Sequence, residues 1–244
     1  MSISKRQQQI LELLQTERYM TVEALALRTF ISPSSIRRDL NVLQNMCLIK
    51  RTHGGAEIVD GGNTVAHLNN RMTKNTVGKK IIAKKAAALI CDGMSIMLDG
   101  SSTAMFLLPH IAKHKDVTLF TNNMITAINA INYGIVTHCL GGRSVNLSAV
   151  LASGQTYREA AELYTDIMFF SSRSLDKNGV ISDPTEEENR LRQIMLAHTK
   201  KSVFLCDSDK FGTSSLYRLT SLNNVDRYIF DKPFDGLVTK NTEE

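Results

Sequence analysis

Apolar residues in the first sixty positions recur at helical spacing in three short blocks, then at strand spacing in two more. Arg6 to Glu17 predicts a helix burying Ile10, Leu11, Leu13 and Leu14. Thr21 can cap a second helix to about Thr29, with Val22, Leu25 and Ala26 facing inward. Ser32 caps a third, and Pro33 suits the first helical turn, where its missing N–H costs nothing. Ile36, Leu40 and Leu43 line the inner side of that helix and leave Ser34, Arg37, Arg38 and Asn41 outside, with Ser35 beside them. The Phe30-Ile31 link is short, so the second and third helices must pack at a steep angle, as in a helix-turn-helix. Leu48 to Arg51, a Gly54-Gly55 turn and Ala56 to Val59 then predict a hairpin with Lys50, Arg51 and His53 near its tip.

After Asp60-Gly61-Gly62-Asn63, a break by composition, the rhythm changes. A helix from Val77 to Cys91 buries Val77, Ile81, Ala88 and Leu89, and Lys79, Lys80, Lys84 and Lys85 solvate its other side. Strands at Ser95–Leu98, Val117–Phe120, Ile135–Leu140, Asp166–Phe170, Ser202–Cys206 and Val225–Phe230 follow. They alternate with helices at Thr103–Lys113, Met124–Tyr133, Tyr157–Tyr164 and Glu186–Thr199. This order predicts an α/β fold: an N-terminal winged helix-turn-helix and a C-terminal domain with a mainly parallel sheet. The expected partition is 3–58 for DNA binding (helix-turn-helix about 20–39), 59–76 as linker, 77–232 as effector domain and 233–244 as tail.

A formal net charge of +5 is modest, so nucleic-acid binding has to come from a local patch. No stretch is long and apolar enough to span a bilayer, and the first residues lack a signal-peptide core. No membrane partner and a cytoplasmic location are expected. Cys47, Cys91, Cys139 and Cys206 are scattered without metal spacing and read as small core residues. His110, His114, His138 and His198 sit on separate elements. No metal, cofactor or catalytic residue is expected.

Two arginines on a helix face are explained equally well by simple solvation. Their setting favours DNA: guanidinium groups pair bidentately with guanine, and Asn and Ser read bases or hold phosphates. Ser34, Ser35, Arg37, Arg38 and Asn41 of the helix and Lys50, Arg51 and His53 of the wing are the candidates for a double-stranded operator. The runs Ile36-Arg37-Arg38-Asp39-Leu40 and Arg51-Thr52-His53-Gly54-Gly55-Ala56 resemble the N-terminal signature of DeoR-type bacterial transcriptional regulators, with Ser35 where that family often has Thr. The resemblance implies a sequence-specific DNA-binding domain joined to a sugar-phosphate sensor.

Ligands of open α/β sheets bind at the carboxyl ends of strands. Polar and glycine-rich residues collect there: Asp99-Gly100-Ser101-Ser102-Thr103 before a helix, Thr121-Asn122-Asn123, Gly141-Gly142-Arg143, and Asp207 to Gly212 with Lys210. The first loop reads as a phosphate cradle or as an ordinary capped helix start. Asp99 would repel a phosphate, so it takes a sugar hydroxyl or orders the loop. These segments resemble, in order, the effector motifs of DeoR-type regulators, whose fold is similar to ribose-5-phosphate isomerases and CoA-transferases. The resemblance implies effector contacts at Gly100, Ser101, Ser102, Thr103, Thr121, Asn122, Gly141, Gly142 and Lys210, with Asp99 beside them. One departure stands out: Phe169-Phe170-Ser171-Ser172-Arg173-Ser174-Leu175 replaces a glycine-containing turn, which should reshape that side of the pocket. The expected protein is a repressor of carbohydrate-metabolism genes, a homodimer or homotetramer answering to a phosphorylated sugar. The alternatives are a sugar-phosphate isomerase using Asp99 or Asp207 as base, or a DNA-binding regulator with a degenerate pocket.

Overall fold

The computed structural model describes residues 4–45, 48–58, 71–145 and 148–236. The Asp60–Asn63 break, most of the expected linker, Cys47, Val59 and residues 237–244 of the tail lie outside the described residues. The chain divides into two compact units, Met1–Lys74 and Asn75–Glu244. No helix among the described residues is long and apolar enough to cross a membrane.

In the first unit, α1 (Lys5–Glu17) opens on a capping box between Ser4 and Gln7. α2 (Val22–Thr29) is capped by the Thr21 hydroxyl, and Phe30, in the left-handed region at φ 57°, turns the chain into α3 (Pro33–Asn45). Ile10, Leu14, Leu25, Ile36, Leu40 and Leu43 meet in a closed core. The wing is β2 (Ile49–Thr52) and β3 (Gly55–Ile58), joined by a turn at His53 and Gly54 rather than Gly54-Gly55. Gly54 has φ +80°, which suits a residue without a Cβ. A strand that the periodicity does not announce, β1 (Tyr19–Thr21), pairs antiparallel with β3 and makes a three-stranded sheet of order β1-β3-β2. Three residues are too few to show alternation. Gly55 belongs to this pairing: a Cβ there would collide with the Met20 carbonyl. The Gly54 carbonyl accepts from Val22 N–H at 2.9 Å and ties the wing tip to the start of α2.

The second unit begins with α4 (Thr76–Ala86), which ends five residues before Cys91, in a 3-10 turn at Ala87–Leu89. Its buried side is Gly78, Lys79, Ile82, Ala83 and Ala86, so the expected stripe is wrong: Val77 and Ile81 are exposed. Glycine and alanine let the backbone approach its neighbours, and that close contact wins over the larger side chains. Six strands follow in one parallel sheet: β4 (Ser95–Leu98), β5 (Thr118–Thr121), β6 (Val136–Cys139), β7 (Ile167–Phe170), β10 (Ser202–Cys206) and β12 (Arg227–Phe230), with the strands of a separate three-stranded sheet interleaved between β7 and β12. Their spatial order is β12-β10-β7-β4-β5-β6. The chain runs from β4 outward to β6, returns beside β4 as β7, and runs outward the other way. The reversal between β4 and β7 is a topological switch point, where open sheets leave a crevice. β7 and β10 are buried along their whole length, which their Ile-Met-Phe-Phe and Ser-Val-Phe-Leu-Cys runs require.

The helix expected over Thr103–Lys113 is two single turns, α5 (Ser102–Met105) and α6 (Leu108–Ile111). Pro109, in the first turn of α6, has no N–H to return to Met105, and the helix breaks just before it, at Phe106 and Leu107. α7 (Met124–Asn132), α8 (Gly154–Glu162) and α9 (Glu186–Ala197) occur close to expectation. The antiparallel sheet, β8 (Ser174–Leu175), β9 (Val180–Asp183) and β11 (Tyr217–Ser221), was not expected. Its strands are short, and a bulge between Arg218 and Thr220 breaks the alternation. Two of the cysteines depart from the core reading: Cys91 and Cys139 are exposed, the latter on the outermost strand β6, and only Cys206 is buried among those described.

Candidate functional site

The buried stripe of α3 includes Asp39, and that dictates its partner. An ionised carboxylate turned toward the core needs a cation. Arg6 of α1 supplies it through Nε and Nη2, and Gln7 adds a bond at 3.2 Å. Within the Arg37-Arg38-Asp39 run, the acid therefore clamps α3 to α1 while both arginines face outward. Ser34, Arg37, Arg38 and Asn41 are exposed, and Ser35 is half-buried, bonded to the Ser32 hydroxyl at 3.0 Å. Arg37 is held only loosely, 3.5 Å from Glu23. On the wing, Arg51 Nη1 donates to Asn41 Oδ1 at 2.6 Å, joining β2 to α3 above an open groove lined by Asn41, Gln44, Arg51, Thr52 and His53. Successive strand residues point to opposite faces. Lys50 accordingly lies on the far side of the sheet from Arg51, where it pairs with Glu57 at 3.3 Å.

In the second unit the strand-end residues fall into three groups. Asp99 is 1% exposed. Its Oδ1 accepts from Ser101 N–H at 3.1 Å; its Oδ2 accepts from Ser171 N–H at 3.3 Å and Arg192 Nε at 2.9 Å. Arg192 also donates to Asp183 at 2.9 Å and Glu188 at 3.1 Å. Burial acts to lower the Arg192 pKa, but the three carboxylates outweigh it and hold the guanidinium above its usual range. Asp183 is pushed up by burial, against the pull of Arg192, and it also accepts from Arg173 N–H at 3.0 Å. Asp99 and Asp183 thus fasten the loops after β4 and β7 to one buried cation. Arg173 contributes its backbone, and its side chain is on the exposed surface.

The second group is centred on Lys210, just past β10. Its ammonium lies 3.0 Å from Asp207 and donates to Ser171 Oγ at 2.9 Å and Thr103 Oγ1 at 3.2 Å. Groups from the ends of β4, β7 and β10 converge there, at the switch point. Around them Ser101 caps α5 through Ala104 N–H, and Ser102 and Thr103 are buried. α5 is one turn long, so positive charge here resides on Lys210 rather than on a helix dipole. Neighbouring Asn123 joins the ends of β4 and β5 by donating to the Gly100 carbonyl at 3.2 Å, and Thr121 accepts from Asn123 N–H. Asn122 donates to the Leu151 carbonyl at 3.0 Å, and its Oδ1 is buried with no donor among the described residues.

The glycines have structural partners. A Cβ on Gly100 would meet Val150 at 2.7 Å. Gly141 donates to Glu159 and its carbonyl accepts from Thr156, while Gly142 has φ +134° and no room for a Cβ beside Thr156 and Ser153. These two pack on α8 rather than joining the Lys210 group. Cys206, behind that group, is pushed up to about 12 by burial and is an inert thiol. Sequence reasoning missed Arg6, Ser171, Asp183 and Arg192. The clue to Arg6 was the acid on an apolar stripe; the clue to Ser171 was the loss of the expected glycines.

Residues 6–61 match the DeoR-like helix-turn-helix domain and residues 74–232 the DeoR C terminal sensor domain. The chain belongs to the DeoR family. It is a DNA-binding transcriptional regulator, and its DeoR relatives match it almost end to end. The HTH-type transcriptional regulator GolR of Listeria innocua is 29% identical, covering 98% of this chain and 95% of the relative. The L-fucose operon activator of Haemophilus influenzae is 31% identical over 98% and 96%. The glycerol-3-phosphate regulon repressor of the same organism is 25% identical over 98% and 93%. Among solved structures, eIF2B delta from Chaetomium thermophilum shares the fold at a TM-score of 0.50, with 17% identity over 70% of this DeoR chain and 60% of the other. Ribose 5-phosphate isomerase A from Methanocaldococcus jannaschii aligns at 0.43, with 19% identity over 57% and 55%.

Proposed function

We propose that this DeoR-family protein represses genes of carbohydrate metabolism and that a phosphorylated sugar at the β4–β7 switch point controls its grip on DNA. The observation that carries the reading is Lys210, an ammonium gathered with the Thr103 and Ser171 hydroxyls where three strands end. A phosphate competes with Asp207 for that cation, and the two hydroxyls donate to its oxygens. The free Oδ1 of Asn122 suits a sugar hydroxyl. Two of the relatives are named for glycerol-3-phosphate and L-fucose regulation, which supports a carbohydrate effector. Asp99 orders the loop, since its oxygens are already engaged. For the same reason it is a poor general base, and a regulator without catalysis is the better reading. The protein would work in the cytoplasm, with residues 3–58 on DNA, 59–76 as linker, 77–232 as sensor and 233–244 as tail.

On the DNA side, Ser34, Ser35, Arg37 and Arg38 enter the major groove, while Arg51 and His53 meet phosphates. One acceptor site of the Asn41 oxygen is engaged by Arg51, and its amide donors are suited to an acceptor such as purine N7. Lys50, across the sheet, adds charge at longer range. The effector must bind the DNA-competent and DNA-incompetent states with different affinity, or it shifts nothing.

Operator gel shifts across a panel of phosphorylated sugars test this. Arg37→Ala should weaken operator binding by about 1–3 kcal/mol, while Lys210→Met should bind operator normally and lose the response to the sugar. A wild type indifferent to every sugar phosphate overturns the effector reading, and undiminished binding by Arg37→Ala overturns the recognition-helix assignment.

A further inference from the structure

The chain does not leave the sensor at once after β12. Asp231 bonds to Ser208, and further on the half-buried Phe234 packs on Phe211, the residue next to Lys210. Phe211, Phe230 and Phe234 form a closed triangle. The Phe211 ring meets Phe230 edge-on at 5.2 Å and Phe234 at 5.0 Å, and Phe230 lies 5.6 Å from Phe234. Rings at these separations and tilts attract through their quadrupoles as well as by burial. Tyr228 stacks on Phe230 at 5.1 Å and ties the triangle to β12. A Cβ on Gly236 would strike the Phe234 ring and the Lys177 carbonyl, so the chain passes tightly by both.

The turn that carries Lys210 has few other holds. Ser208–Lys210 is a single 3-10 turn with no side-chain cap, and Gly212, Thr213 and Ser214 beyond it are exposed. The Thr213 hydroxyl donates to the Lys210 carbonyl at 2.7 Å, from within the same exposed stretch. Between Lys210 and Ser215 only the Phe211 side chain is shielded, and its backbone bridges to Leu175 of β8. Lysine is a point charge on a flexible stem, so the place of its ammonium depends on how firmly its backbone is held. We infer that Phe234 is a positioning residue of the effector site. Its ring holds Phe211, Phe211 holds the backbone beside Lys210, and the ammonium is thereby kept against the Thr103 and Ser171 hydroxyls. The inference rests on the effector reading and adds to it a residue from the end of the chain.

Paired titrations of the full chain test it: glycerol 3-phosphate against glycerol, and fructose 6-phosphate against fructose. Calorimetry suits the esters and ligand-observed NMR the weaker sugars. In the wild type at least one ester should bind about 100-fold tighter than its sugar, through the charge-assisted bonds at Lys210. Phe234→Ala should weaken that ester about tenfold, leave the sugar unchanged and bind operator normally. Phe234→Tyr keeps the ring and should restore the wild-type preference. Should Phe234→Ala fail to fold, Phe234→Leu, which keeps apolar volume without the ring, decides: a reduced preference supports the inference and a wild-type one overturns it. Equal weakening of ester and sugar, or a loss that Phe234→Tyr does not restore, also overturns it. A wild type that prefers no ester to its sugar overturns the effector reading and this inference with it. A wild-type preference that survives Phe234→Ala overturns this inference alone.

Discussion

Arg192 sets the terms for the loops around it. A guanidinium buried with Asp99, Asp183 and Glu188 depends chiefly on its two buried partners, because those charges compensate one another away from water. Arg192→Met would strand two deeply buried carboxylates and should cost about 3–5 kcal/mol in urea-induced unfolding. Replacing Glu188, the most exposed of the three acids, should cost much less. Equal losses at the two positions would mean that the cluster is not organised around the arginine. Asp39 shows the same logic in the other unit: the acid inside the signature run is spent on Arg6, and the arginines beside it are left outside.

At the scale of elements, β4 and β7 are pinned where they begin as well as where they end. Asp166 accepts from Ser95 N–H at 2.9 Å, Ser95 Oγ at 2.6 Å and Lys200 Nζ at 2.6 Å. The Lys200 bond, then those from Ser95, hold its pKa well below the usual carboxylate range. A folded pKa below the unfolded one stabilises the fold above the ordinary carboxylate value and loses that effect as pH falls through the folded one. Asp166→Asn should therefore lower stability by about 1 kcal/mol at neutral pH, allowing for screening of the half-open Lys200 pair. The gap to wild type should close as the solution is acidified, which urea titrations at several pH values would reveal. A gap independent of pH would place the effect in packing instead. Long helices and buried strands were legible from periodicity because each repeats its pattern several times. β1, β8 and the split at Pro109 were not, since two to four residues show no period and their pairing is decided by distant segments. The same limit governs the site. Lys210 and Thr103 were visible as strand-end chemistry, but Gly141 and Gly142 are explained by α8, thirteen residues or so further on, and no local pattern announces that contact.

At the scale of the whole molecule, the Lys210 turn is wired to the place where the sensor chain begins. Asp231, after β12, accepts from Ser208 N–H at 2.8 Å and Ser208 Oγ at 3.0 Å, and from Asn75 Nδ2 at 3.3 Å. Asn75 caps α4 through Gly78 N–H and reaches Asp209 as well. A ligand that moves Lys210 therefore acts within one residue of bonds that set the first turn of α4. Asp231→Ala should keep the thermal shift caused by the effector and keep operator binding, yet lose the effect of one on the other. If a sugar phosphate still alters operator binding in that variant, the coupling runs elsewhere.

The Gly54 carbonyl bonded to Val22 has a further consequence for the wing. A free hairpin tip would give up its disorder on meeting the duplex, at about 1–2 kcal/mol for each residue fixed. Here β1 and that one bond have already immobilised it during folding. The wing would arrive at DNA with its entropy already lost, so any phosphate contact proposed for it would count almost entirely toward affinity.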